Sequence, residues 1–484
     1  MSDLHEQAMN YVYQQVLQRL LGHLSRAERT ALQLLIQRLL VAAGGAERIS
    51  DFVLLVPFGG GKDSAYTLAL LRAAQLSICT RAPGTFKLRV ATLRHAGLSP
   101  AVMGNIHRVY SALFLYDDPR VEMLVFDDQR THAFEPDLPF SAAGRRQNRA
   151  DMLRAGHLTA GDGRSTFCDS CHLNLADAFY RAMTWGEGVG AVATGDSRKE
   201  QKQYITWLMR LAQATGQQNG HWRHQSFQAV MRSLGSLTQA WRQELYGEAE
   251  AAKPLGLPAG KAVMPVHVAV GELFNGRADE HWDLLTDFLG FRFDDLALAF
   301  SESDCANPLL MAHLQGLRSQ YLDGGRYADG IASYLQDARR LMRRKRMPAR
   351  LVAQVLAAFD GDACIQAQRA LAAGFAQQAY GLNEAQLVCM LYSPFVDQGQ
   401  GMERYLRDCH PGMLVALPDL HRALSGQQVP EQVLQWLMES SAMSLAELQA
   451  LYARRRIDLA SSDSIIARIR AADPERSLQR RAVA

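Results

Sequence analysis

A run of three glycines followed by a lysine, an aspartate and a serine is the part of the sequence best suited to bind phosphate. The run covers residues 59–64. Glycine allows backbone N–H groups to approach phosphate oxygens closely, because a Cβ atom would block that approach and resist a positive φ. Lys62 adds a positive charge, and Ser64 adds a hydroxyl group near the first turn of a predicted helix. The pattern therefore predicts an anion-binding loop at a helix N-terminus.

A pair of cysteines is the second group suited to chemistry. Cys168 and Cys171 stand three positions apart at the predicted start of a helix, so both thiolates can be directed at one metal ion. A zinc site needs about four ligands, and the sequence has no second Cys-x-x-Cys motif to complete it. His172 is a poor fourth ligand because it directly follows Cys171. A redox pair and two unliganded thiols are the alternatives.

The composition describes a globular protein with ample core. The chain has 484 residues, of which 48% are hydrophobic and 21% charged, so we expect two or three domains. Its seven cysteines are an odd number, which argues against a disulfide framework. The polar N-terminus and the lack of a run of roughly 20 apolar residues predict a cytoplasmic protein without a membrane partner. A net charge of +3 does not establish a nucleic-acid partner.

Strands and helices alternate through residues 51–205, which predicts an α/β fold with a doubly wound parallel sheet. Ligands of such sheets lie beyond the carboxyl ends of the strands. The glycine run follows the first predicted strand, and other polar residues follow the later ones. The predicted strands are 52–56, 87–93, 121–126 and 189–194, and the predicted helices are 64–75, 101–115 and 172–185.

The remaining segments are predicted to be mostly helical. We expect residues 1–50 to form a helical hairpin that covers the sheet domain. The stretch 130–166 is rich in arginine and glycine and predicts an irregular insertion, either a solvated loop or a lid. A short strand is predicted at 263–270. The resulting organisation is an N-terminal helical segment at 1–50, a sheet domain at 51–308 and a separate all-α domain at 309–484.

The glycine run, with its flanking strand and helix, resembles the SGGxDS signature of the PP-loop ATP pyrophosphatase superfamily. Gly59 stands where that signature has serine, and the other five positions match. The resemblance implies that ATP binds with its β,γ-pyrophosphate on the loop, that Lys62, Asp63 and Ser64 are catalytic, and that Asp63 with Glu200 or Asp196 holds Mg²⁺. The ATP-binding residues it implies are Gly59, Gly60, Gly61, Lys62, Asp63, Ser64, Thr92, Leu93, Arg94, Gly195 and Asp196.

The cysteine pair, a following helix and the strand ending in Ala193-Thr194-Gly195 occur in the same order as in the iron–sulfur tRNA thiolases of this superfamily. That resemblance implies a [4Fe–4S] cluster held by Cys168, Cys171 and a third cysteine, for which Cys305 is the candidate. It also implies adenylation of a carbonyl oxygen with release of pyrophosphate, followed by sulfur transfer. The implied partners are a tRNA or a small-molecule substrate, a sulfur-donor protein and a second copy of the chain.

Two other functions fit the same residues. An amide-forming PP-loop ligase would use ammonia as the nucleophile, and its cysteines would be structural or would bind zinc. A non-catalytic nucleotide-binding protein would use its helical C-terminal region to recruit partners. The basic stretches 145–154 and 339–346 predict either phosphate contacts of a nucleic acid or solvated faces.

Overall fold

A six-stranded sheet lies at the centre of the protein, with strand order β4-β3-β2-β1-β5-β6. The strands are β1 (Val53–Pro57), β2 (Lys87–Leu93), β3 (Val121–Asp127), β4 (Arg130–Ala133), β5 (Ala191–Thr194) and β6 (Val266–Ala269). All neighbouring pairs are parallel except β3 and β4, which are antiparallel. The computed structural model of the chain describes residues 3–82, 84–127, 130–167, 169–195, 227–247, 265–274, 281–292, 308–344 and 347–472.

Helices cover both faces of the sheet. Along β1, Leu54 and Val56 belong to one hydrophobic cluster, whereas Leu55 belongs to a second cluster on the opposite face. This alternation is the period of two expected of a strand that is buried on both sides. The first seven helices are α1 (Asp3–Gly22), α2 (Arg26–Ala43), α3 (Lys62–Cys79), α4 (Pro100–Ala112), α5 (Ala142–Leu158), α6 (Gly163–Phe167) and α7 (Asp169–Thr184).

The position of β1 defines the topology. From β1 the chain passes to β2 and β3 on one side and later returns to β5 and β6 on the other side. The strand order therefore reverses between β1 and β5, which pair directly through Leu54 with Ala191 and Leu55 with Val192. The predicted α/β class is confirmed, and this arrangement is compatible with a doubly wound fold.

The N-terminal helices cover α3. The described part of the first 43 residues contains two helices, α1 and α2, and a capping box at Ser25 fixes the start of α2. In this box the Ser25 hydroxyl accepts a hydrogen bond from Glu28 N, and the Glu28 carboxylate accepts one from Ser25 N. Glu28 also accepts hydrogen bonds from Tyr66 of α3 and from His281, so it joins α2 to α3 and to the segment that contains His281.

The prediction of an irregular segment at 130–166 was wrong. This segment contains β4, α5 and α6. Its glycines do not break the helix: a Cβ at Gly144 would lie 2.8 Å from Asp127 Oδ1, and one at Gly156 would overlap the Met390 side chain. These glycines permit close packing of α5, and the many arginines concealed a buried face that includes Met152.

Residues 308–344 and 347–472 contain helices and no strand. Some of these helices pack directly on α5 and α6; for example, the rings of Phe167 and Tyr380 lie 5.8 Å apart. No helix in the described ranges is long and apolar enough to cross a membrane. The helices after α7 are Phe227–Tyr246, Val270–Phe274, Pro308–Tyr321, Tyr327–Arg344, Ala349–Ala357, Asp362–Tyr380, Glu384–Tyr392, Met402–Cys409, Leu417–Leu424, Glu431–Ser441, Leu445–Tyr452 and Ile465–Ala472.

A buried histidine on α5 makes stability depend on pH. His157 is fully buried against the Phe395 ring, and neither of its ring nitrogens has a hydrogen-bond partner among the described residues. Burial lowers the pKa of His157 from 6.5 to about 3. Between these values the unfolded chain binds a proton that the folded chain does not, so stability falls as the pH decreases through this window.

Replacing His157 with phenylalanine should reduce this dependence. For the natural chain, the histidine should contribute a loss of about 2 kcal/mol in the free energy of unfolding between pH 7.5 and pH 5. The H157F variant should lack that contribution, because it has no titrating group at this position. Urea unfolding at the two pH values measures the difference. An unchanged pH dependence in H157F would assign the proton uptake to other groups.

Candidate functional site

The glycine loop starts where β1 ends, and hydrogen bonds to β2 fix its first residue. Phe58 N donates to Ala91 O at 2.8 Å, and the buried Thr92 hydroxyl donates to Phe58 O at 2.8 Å. The loop then passes over α4. Gly60 has φ 75°, and a Cβ there would lie 2.8 Å from Val102 Cγ1. This backbone conformation and this contact both require glycine.

Helix α3 starts within the 59–64 loop, at Lys62, with Gly61 as its N-cap residue. No described side chain caps this helix end. The neighbouring helices differ, because Ser99 caps α4 and Ser141 caps α5 through their hydroxyl groups. The first N–H groups of a helix lack intrahelical acceptors and carry the positive end of the helix dipole. The start of α3 is therefore suited to an anionic ligand.

The polar side chains of the loop contact one another. Lys62 Nζ lies 3.0 Å from Asp63 Oδ1; the Lys62 side chain is 6% exposed and that of Asp63 is 32% exposed. The Ser64 hydroxyl donates to Gly61 O at 2.9 Å, which leaves its oxygen lone pairs able to accept a hydrogen bond. The loop thus combines a cation, a carboxylate and a hydroxyl group within one helical turn.

The end of β5 lies against the first turn of α3. Thr67 donates from its hydroxyl to Asp63 O at 2.8 Å, and a Cβ on Gly195 would overlap the Thr67 side chain. Two of the predicted ATP-binding segments, the loop at 59–64 and Gly195, therefore meet where the strand order reverses. This is the position at which doubly wound sheets bind ligands.

A small cleft separates these segments from the helix Val270–Phe274, which follows β6. Its free volume is about 10 Å³, and Asp63, Thr67, Gly195, Gly271 and Phe274 line it. Among the described residues this cleft has room for about one water molecule. Sequence reasoning missed Thr67, Gly271 and Phe274 as lining residues. The signal for Gly271 was its position directly after the short strand predicted at 263–270, which the structure shows as β6, parallel to β5.

The predicted residues at the end of β2 have internal partners. Besides the Thr92 bond described above, the guanidinium of Arg94 donates to Leu98 O and Leu138 O and lies 3.8 Å from the centre of the Phe140 ring. Burial lowers the pKa of Arg94 to about 10, and the charge of Asp127 opposes this effect. Arg94 thus joins the segment after β2 to the segment that contains Leu138 and Phe140, while Leu93 is partly exposed.

The predicted metal ligands lie almost entirely outside the described residues. These are Cys168, Cys305, Asp196, Glu200 and the side chain of Cys171. Within the described parts of the chain, no group of three or more His, Cys, Asp or Glu residues is placed to hold a metal ion. Of the proposed magnesium ligands, only Asp63 has a described position.

Comparison with known proteins gives no identification: no family model, curated protein or solved structure matches the chain.

Substituting Gly60 tests the geometry of the loop. Alanine at this position should destabilise the protein by about 2 kcal/mol or more, because it combines an unfavourable positive φ with a clash against α4. Gly59→Ala is the matched control, since a Cβ at Gly59 meets nothing within 4 Å and its φ is not in the left-handed region. Urea unfolding measures both variants. Equal stabilities of the two variants would contradict the described loop conformation.

Proposed function

We propose that the chain is an adenylating ATP pyrophosphatase of the PP-loop type. The observation that carries this proposal is the position of the loop at 59–64. A glycine-rich turn enters a helix that lacks a side-chain cap, at the point where the strand order of the sheet reverses. Phosphate groups bind such helix starts through backbone N–H groups. A lysine and a serine of the same turn add the charge and the hydroxyl group that a polyphosphate requires.

In the proposed reaction, the carbonyl oxygen of a substrate attacks the α-phosphorus of ATP. A carbon–oxygen–phosphorus linkage forms, the bond between the α-phosphorus and the bridging oxygen breaks, and pyrophosphate leaves with that oxygen. Lys62 would stabilise the charge on the pyrophosphate, and Ser64 would orient it by hydrogen bonding. Asp63 stands between Lys62 and Ser64 in the sequence. It would hold Mg²⁺ together with Asp196 or Glu200. The adenylated carbon is then open to attack by a nucleophile, with AMP as the leaving group.

We further propose that the nucleophile is sulfur and that the net reaction replaces the carbonyl oxygen by sulfur. The support is the order of the cysteine pair, α7 and β5 in the sequence. Cys168, Cys171 and Cys305 would hold an iron–sulfur cluster, which supplies the sulfur when bound. A tRNA or another molecule with a nucleobase carbonyl is the proposed substrate.

Replacing Lys62 with methionine should weaken ATP binding roughly ten- to a hundredfold, since it removes a charged hydrogen-bond donor while keeping the length of the side chain. Lys87→Met is the matched control. Lys87 is exposed and begins β2, at the sheet edge opposite the loop. Isothermal titration with ATP and Mg²⁺ measures both variants. Equal affinities of K62M and K87M would rule out the loop as the phosphate site.

Iron content tests the sulfur-transfer part of the proposal separately. Chain purified without oxygen should contain iron and acid-labile sulfide, and replacing Cys168 and Cys171 with alanine should remove both. Cys364→Ala is the control, because this partly exposed cysteine lies on the helix Asp362–Tyr380, outside the proposed ligand set. Iron-free chain that still binds ATP would refute sulfur transfer and favour the ammonia-dependent ligase, while the ATP proposal would stand.

A further inference from the structure

A second cavity lies away from the glycine loop, between α5, the helix Phe227–Tyr246 and the helix Leu445–Tyr452. Its volume is about 390 Å³, within the range of sites for small molecules. The polar lining includes two arginines, Arg154 and Arg454, and two glutamates, Glu244 and Glu447. No residue of the 59–64 loop lines it. The cavity is thus a separate candidate site with formally balanced charges.

Both glutamates are engaged at the starts of helices. Glu447 forms the capping box of the helix Leu445–Tyr452, where it accepts hydrogen bonds from Ser444 N at 2.9 Å and from the Ser444 hydroxyl at 2.7 Å. Glu244 accepts from Ile465 N at 2.6 Å and Ile466 N at 3.2 Å, at the start of the helix Ile465–Ala472. The positive ends of these two helices therefore offset the carboxylate charges.

Arg454 retains more hydrogen-bonding capacity than the glutamates. Arg454 has five N–H donors, and its one side-chain hydrogen bond to described residues goes from Nη1 to Leu245 O at 3.1 Å. Arg154 lies 4.3 Å from the centre of the Tyr246 ring and 3.1 Å from Glu447 Oε1. Burial lowers the pKa of Arg454; the charge of Glu244 opposes the effect, and the charge of Arg154 adds to it. The cavity is therefore lined by two guanidinium groups, and that of Arg454 has donors that the described residues do not use.

We propose that this cavity binds a small organic phosphate, held between Arg154 and Arg454. Guanidinium groups match the geometry of phosphate oxygens, and a dianion between two of them relieves their mutual repulsion. A monocarboxylate carries half the charge of a phosphate dianion, and it can pair with the N–H donors of only one of the two guanidinium groups. Leu245, Ala450 and Leu451 also line the cavity and supply apolar surface for the organic part of the ligand. This proposal does not depend on the function proposed for the glycine loop.

Phenyl phosphate is a suitable probe because it combines a dianionic group with a small apolar body. Isothermal titration of the full chain should show saturable binding at one site that requires Arg454. The R454Q variant should bind at least about tenfold more weakly, because it loses charged hydrogen bonds to the phosphate. The matched control is R455Q, since the neighbouring arginine is exposed and does not line the cavity. The K62M variant should retain this binding, which separates the cavity from the glycine loop.

A second variant keeps the test independent of any effect of R454Q on folding. Ala450 is exposed where it borders the cavity, so A450W should block the space without removing a polar group. It should also abolish binding, and its thermal unfolding temperature should stop rising with added phenyl phosphate. Unchanged binding in both R454Q and A450W would overturn the proposal. Equal affinity for benzoate would overturn the choice of a dianion, and loss of binding in K62M would assign the phosphate to the glycine loop.

Discussion

The contact of Gly60 with α4 is the constraint on which the candidate site depends. Because β1 is tied to β2 through Phe58, the chain leaves the sheet directly above Val102 and Ile106. Only a residue without a Cβ, at a positive φ, can turn there and still start α3 in the next residues. The same geometry directs the uncapped start of α3 toward the end of β5. The absence of a Cβ at one position thus determines where the positive end of the helix points.

A buried ionic network fixes the rest of α3. Arg72 is fully buried and lies 2.7 Å from Asp118, which also pairs with Arg120 at 2.7 Å. Although burial opposes it, hydrogen bonds from Arg120 and the charge of Arg72 lower the pKa of Asp118 to about 2. Arg72 also donates to the backbone carbonyl of Leu113, just after α4. Removing Asp118 would leave the charge of the buried Arg72 without a counter-charge, so this network holds α3 and α4 in one orientation. The glycine loop, which leads into α3 and packs on α4, is thus supported by rigid elements.

The sequence predicted those parts of the fold that local patterns specify. The succession of β1, the glycine run and α3 could be predicted because apolar alternation, glycines and helical periodicity adjoin one another. The helix α5 could not, since its signals are non-local. Gly144 packs on Asp127, and Gly156 packs on Met390, a residue more than 200 positions away. Because these contacts are distant in sequence, the sequence alone does not distinguish the two glycines from helix-breaking ones. Arg154 was predicted as part of a basic loop, yet it is buried on α5. At the candidate site, pattern alone placed the loop and Gly195, whereas Thr67 and Phe274 required the packing of α3 against the helix after β6.

Helix α5 runs from the carboxyl edge of the sheet, near Asp127, to the cavity that Arg154 lines. Its N-terminal turn packs on Asp127 at the carboxyl edge of the sheet, where Ser141 N donates to the Asp127 carboxylate at 3.1 Å. Near its other end, Arg154 lines the cavity between the helices. With 17 residues the helix is about 25 Å long. Because a helix is stiff along its axis, the packing of Gly144 and the position of Arg154 are not independent. The C-terminal helices pack on α5, and they thereby fix the helix whose first turn contacts Asp127 at the carboxyl edge of the sheet.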